Sequence, residues 1–132
     1  MDEQVRRWLL KGREDFKVAK HELSFPEDEI STEAVCFHCQ QFVEKSLKAY
    51  LVSKGIGFGK THDLTYLAKL GSEFEPAFLK FDFERLINYA VEVRYPDDFY
   101  TPPAEEAREA FELAKTVKEF VFQKLGITDR DF

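Results

Sequence analysis

Three groups of residues in this chain combine types and spacings suited to chemistry. His38, Gln41, Glu44, Lys45 and Lys48 recur at helical intervals, so a helix gathers them on one side. There two ammonium groups offer themselves to a phosphate, with Gln41 and His38 adding directional hydrogen bonds. The plainer reading is a solvated face, where the Glu44 and Lys48 pair, four apart, adds only about 0.2–0.5 kcal/mol. His62 and Asp63 form the second group, and Arg94, Tyr95, Pro96 and Asp97 the third. Taken singly, each is ordinary: Asp63 at a helix start and Arg94 at a helix end both complement the helix dipole. A bundle that gathers His62, Arg94 and the Lys45 and Lys48 side into one cleft makes a phosphate site of them.

Two further motifs invite chemistry and fail on spacing. The run GIGFGKT, Gly55 to Thr61, resembles a phosphate loop, but that loop requires glycine where Lys54 stands and a preceding strand instead of a helix. We read it as an inter-helix turn. Cys36 and Cys39 have the spacing of half a zinc site, yet no second cysteine pair exists and His38 points to the opposite side of its helix. Both thiols are expected in the core, and we assign no metal and no cofactor.

The element that must carry the first group runs from Glu33 to Lys54. At about 100° per residue, Val35, Cys36, Cys39, Phe42, Val43, Ser46, Leu47, Ala49 and Tyr50 fall within an arc of about 160°. Such an arc touches at least two neighbours, so this helix should be central. Ser31 or Thr32 offers its cap, and Gly55 its C′ residue. Before it, Val5, Leu9, Gly12, Phe16, Ala19 and Leu23 alternate at four and three over a helix from Asp2 to Leu23, which Pro26 ends. After it, a short helix starts at Thr61 or His62 and ends at Gly71, and a further helix is expected from about Asp82 to Val93. Prolines 96, 102 and 103 then impose turns, and a last helix runs from Pro103 to Gly126. The expected fold is all-α, an up-and-down bundle of four long helices plus one short helix.

The 132 residues allow one core, so residues 1–132 are read as a single domain. Lys and Arg number 19 against 25 Asp and Glu, and the formal net charge of -6 argues against general attraction to nucleic acid or anionic membrane, leaving only a local basic patch. No apolar run approaches the length of a membrane span, and the first residues do not read as a signal peptide, so a cytoplasmic location is expected. The 14 Phe exceed the evident need of one small bundle. Phe74, Phe78, Phe81, Phe83, Phe99 and Tyr100 are therefore candidates for an interface.

CFHCQQFVEKSLKAYL from Cys36 to Leu51, then Thr61-His62-Asp63-Leu64, then Arg94-Tyr95-Pro96-Asp97, occur in an order and with gaps that resemble the HEPN domain, the higher eukaryotes and prokaryotes nucleotide-binding family. The resemblance spans nearly the whole chain. It implies a small prokaryotic helical protein, often a homodimer, encoded beside a minimal nucleotidyltransferase and binding a nucleotide or RNA phosphate. Under it, Arg94 is the bidentate phosphate contact, supported by Lys45, Lys48, His62, Asp63, Gln41, His38, Tyr95 and Asp97. The alternatives are a metal-independent RNase toxin of a toxin-antitoxin pair and a non-catalytic dimeric interaction protein. The RNase branch carries a histidine four to six residues after its arginine, where this chain has Phe99, Tyr100 and Thr101. No histidine follows His62, so no catalytic residue is assigned.

Overall fold

The computed structural model describes residues 1–87, 89 and 100–131. Among these the fold is all-α, with no strand: α1 Glu3–Leu23, α2 Thr32–Ser53, α3 Leu64–Gly71, α4 Glu84–Ile87 and α5 Ala104–Leu125. Short 3-10 turns at Glu27–Glu29, Pro76–Lys80 and Asp129–Asp131 join or close them. The helix expected from about Asp82 to Val93 begins as α4, whose first turn is fixed by the Asp82 carboxylate accepting from the Glu84 N–H at 3.1 Å. The rest of that expectation lies outside the described residues.

The helix ends follow from local chemistry. Asp2 caps α1, its carboxylate accepting from the N–H groups of Gln4 at 2.7 Å and Val5 at 3.3 Å. At α2, Ser31 occupies the cap position, but its hydroxyl makes no capping bond; instead the Ser31 N–H donates to the Glu22 carboxylate at 2.8 Å, tying the start of α2 to the end of α1. Gly55, at φ +70°, ends α2 as expected. The Ile56 N–H reaches Leu51 and the Gly55 N–H reaches Val52, both at 3.0 Å, the paired bonds of a left-handed helix terminus. Asp63, and not Thr61 or His62, caps α3 by accepting from the Tyr66 N–H at 3.1 Å.

The expected apolar arc of α2 is buried along its whole length, from Val35 through Tyr50. α1 runs antiparallel to it: Val5 and Leu9 cluster with Ala49, while Asp15 reaches back to His38. Gly12 permits the approach, since a Cβ there would already stand 3.4 Å from the Lys45 Cβ and 3.5 Å from the Phe42 ring. α5 runs parallel to α2, and α3 covers the remaining side. The bundle is thus organised around α2.

The aromatic residues are used mainly inside. Phe78 is buried between Tyr50 at 4.7 Å and Phe120 at 4.9 Å, Phe83 is buried, and Phe81 stacks on Phe83 at 5.7 Å. Of the aromatics proposed for an interface, Phe74 and Tyr100 are the exposed ones among the described residues. Phe99 lies outside them.

Candidate functional site: a buried carboxylate holding His62

The polar side of α2 is not the wet face that its charges suggest. Gln40, Glu44 and Lys48 are 0%, 3% and 5% exposed. Burial of these groups demands partners, and each has one. Lys48 Nζ donates to Glu44 Oε2 at 3.0 Å, and Gln40 Nε2 lies 3.4 Å from Glu44 Oε1. Gln41 Nε2 donates to Gln40 Oε1 at 2.6 Å, so the half-buried Gln41 joins the same chain of bonds. The Lys48 ammonium also stands over two rings, 5.2 Å from the Trp8 centroid and 5.5 Å from that of Phe58.

Phe58 belongs to the glycine-rich loop after α2, and its half-buried ring meets Trp8 edge-on at 6.2 Å. Gly55 and Gly59 take φ of +70° and +66°, which lets the loop turn back over Lys48. The same return brings His62 to Glu44, with Nδ1 3.0 Å from Oε1 and 3.2 Å from Oε2. An ionised carboxylate only accepts, so Nδ1 carries the proton and donates. The side chain of His62 is 73% exposed although its partner is buried. The imidazole is therefore oriented from inside the protein while its Nε2 edge remains available to a ligand.

A second carboxylate divides the polar side of α2. Asp15 of α1, nearly buried, faces His38 Nδ1 at 2.7 Å and Lys45 Nζ at 2.5 Å. His38, Gln41, Lys45 and Lys48 are thus all engaged within the protein. His62 converges on Lys48 through Glu44, but Lys45 belongs to the Asp15 cluster. Asp63 serves as the α3 cap. Arg94, Tyr95 and Asp97 lie outside the described residues.

The residues flanking that segment lie near one carboxylate. Tyr100 donates from its hydroxyl to Glu106 Oε2 at 2.7 Å, and buried Tyr89 lines the same small pocket as Glu106. Burial raises the Tyr89 pKa above the usual tyrosine range, and the Glu106 carboxylate adds to it; for Tyr100 the bond to Glu106 is the main cause of a rise. Burial likewise pushes the Cys36 thiol up to about 12 and raises Cys39. Both cysteines are free thiols in the core. Among the described residues no group of three or more His, Cys, Asp and Glu is placed to hold a metal ion.

The sequence profile of the HEPN domain matches residues 5–125. The chain belongs to the HEPN family. No curated protein and no solved structure matches it. HEPN membership supports a nucleotide- or RNA-related module in general. Within this HEPN domain no described helix is long and apolar enough to cross a membrane.

Sequence reasoning placed Glu44 on the polar face and proposed it only as a surface partner of Lys48. It did not single out Gln40 or Asp15. The available signal was the position of Asp15 beside the α1 seam, one residue before Phe16, where a carboxylate must face α2.

Proposed function

We propose that this HEPN domain is a nucleotide- or RNA-phosphate-binding module in which His62 and Arg94 make the phosphate contacts. The observation that carries this reading is the Glu44 and His62 bond: a buried carboxylate fixes an exposed imidazole with its second nitrogen outward. Glu44 and Lys48 together are a neutral pair, so the carboxylate orients the ring without adding net negative charge where an anion must approach. Arg94 supplies a planar, permanently charged fork suited to two phosphate oxygens. It lies in sequence between Tyr89, which is buried, and Tyr100, whose hydroxyl is bonded to Glu106. Lys45 and Lys48 support the site through their field, being committed to Asp15 and Glu44. Gln41, through Gln40, and Asp63, beside His62, border the site, and Tyr95 and Asp97 are proposed with Arg94.

HEPN domains often dimerise, and a homodimer paired with a minimal nucleotidyltransferase is the assembly we propose for this chain. Exposed Phe74 and Tyr100 are apolar surface available to such contacts. Calorimetric titration of the wild type with ATP, GTP and a short RNA tests the binding reading. Heat of saturable binding to any of them is expected, and silence with all three rejects it.

One observation favours a second reading, a metal-independent RNase. His62 is poised as a general base, replacing the histidine that is missing at positions 99–101. RNA cleavage that persists in EDTA and disappears in both His62→Ala and Arg94→Ala is the expected result. A concentrated, clean preparation that leaves RNA intact rejects it.

A further inference from the structure

Away from His62, the outer seam between α1 and α5 carries a cavity of about 550 Å³, roofed by no other helix. Its floor is aromatic, made by Phe16, Phe111 and Phe122, and its rim is basic, made by Lys20, Lys115 and Lys118. A smaller cavity of about 220 Å³ adjoins it toward Leu9 and adds Arg13 and Lys17, sharing Phe16, Lys20, Lys118, Phe122 and Asp129 with the first. Five cations thus line the pair of cavities together with the carboxylates Glu119 and Asp129, while Glu14 and Glu112 pair with Lys17 and Lys115 from outside the lining. Arg13 and Lys20 carry none of the ion pairs found among the described residues.

Lys118 sits at the junction of the two cavities. Its ammonium stands 4.7 Å from the Phe16 centroid and 5.4 Å from that of Phe122, and it pairs with Asp129 at 2.6 Å. Asp129 comes from the turn after α5, which Gly126, at φ +70°, folds back over the groove. Its side chain is 78% exposed, so it is a carboxylate laid on the site from outside instead of a buried partner. The Lys118 side chain is only 22% exposed, so the cation is fixed in the groove while its exposed carboxylate partner is open to replacement from solvent. Asp129 therefore marks where an external anion would sit.

We propose that the α1 and α5 groove binds an aromatic organic anion, a carboxylate or phosphate monoester on a flat apolar body. The anionic group replaces the Asp129 carboxylate on Lys118, with Lys20 and Lys115 alongside, and the flat body lies on the phenylalanine floor. The cavity volume falls within the range of small-molecule sites, about 300–1,000 Å³. The turn carrying Ile127, Thr128 and Asp129 crosses the groove, which favours a compact ligand over a partner helix lying along it. His62 does not line this site.

Fluorescence titration with 2-naphthoate and with 1-naphthyl phosphate tests the proposal and identifies the preferred head group. The wild type is expected to bind at least one probe saturably, one per chain. Lys118→Gln should weaken it about tenfold, one hydrogen-bonded charge contact, and Asp129→Asn should tighten it severalfold by removing the competing carboxylate. Lys20→Gln provides a second weakening variant should Lys118→Gln fold poorly by circular dichroism. Absence of saturable binding by the wild type, unchanged affinity in the lysine variants, or weaker binding by Asp129→Asn would each overturn it. So would self-association that excludes the probe, because a second copy would then occupy the groove. His62→Ala should leave probe binding intact, which separates failure here from failure of the nucleotide reading.

Discussion

His62 and Glu44 are 18 residues apart in sequence, and the imidazole Nδ1 stands 3.0 Å from the carboxylate. One partner is in the core and the other is in solvent. The relationship depends on the loop after α2 turning back, on Phe58 closing over Lys48, and on Asp63 starting α3 immediately beyond His62. Stability and binding therefore separate at this pair: Glu44 holds the interior together, and His62 faces the ligand.

Glu44→Gln leaves the Lys48 ammonium buried without its counter-ion. Its side chain is 7% exposed, so water does not compensate. A loss of about 3 kcal/mol in urea unfolding is expected, as for breaking one side of a buried pair. Adding Lys48→Met should recover more than half of it. A loss under about 1 kcal/mol for the single variant would contradict the burial of the pair.

Asp15→Asn removes the charge that His38 and Lys45 share. Hydrogen bonds to charged groups are worth about 1.5–3 kcal/mol, and His38 and Lys45 are partly solvated, so a loss near the lower figure is expected. Lys45→Met should cost less than Asp15→Asn, because it leaves His38 bonded to the carboxylate. Chemical denaturation of the two variants measures the difference.

Gly71→Ala tests the packing of α3. A Cβ there would stand 3.0 Å from Phe78 Cδ2 and 3.1 Å from Cε2, and Phe78 is held on its other sides by Tyr50 and Phe120. Overpacking costs about 1–3 kcal/mol, outweighing the helix-propensity gain of about 1 kcal/mol. A net loss is expected. Gly57→Ala, with nothing within 4 Å and an ordinary φ, should be close to neutral by the same thermal-melt measurement.

Alkaline conditions should destabilise the domain through its thiols. Cys36 ionises at about 12 in the fold against 9.0 for a free thiol, because burial disfavours the thiolate. A folded pKa above the unfolded one means that this contribution is complete below pH 9 and is lost as pH rises toward 12. The raised pKa values of Cys39, Tyr89 and Tyr50 act in the same direction. Unfolding free energy followed from pH 8 to 11 should fall, and fall less in Cys36→Ala relative to that variant's own value at pH 8. An equal slope in the variant would contradict the cause.

The apolar arc of α2, the seam of α1 and the ends at Gly55 and Gly126 were legible because apolar spacing and glycine chemistry are local signals. The burial of Gln40, Glu44 and Lys48 was not. A polar residue reads as exposed from its type alone, whereas these three satisfy one another along α2, and the chain after it adds the Phe58 ring over Lys48 and His62 on Glu44. His62 was legible as a candidate; the carboxylate that orients it was visible only as half of a surface pair. The aromatic excess misled in the opposite sense, because Phe78, Phe81 and Phe83 serve the interior left between α2, α3 and α5.

Titration calorimetry with one short single-stranded RNA, run on the wild type, His62→Ala and Arg94→Ala, tests the proposed phosphate site most directly. The wild type should bind, and each substitution should weaken binding about tenfold or more, equivalent to at least about 1.4 kcal/mol, while circular dichroism shows both variants folded at the titration temperature. RNA binding that is absent in the wild type, or undiminished in both variants, would contradict the site.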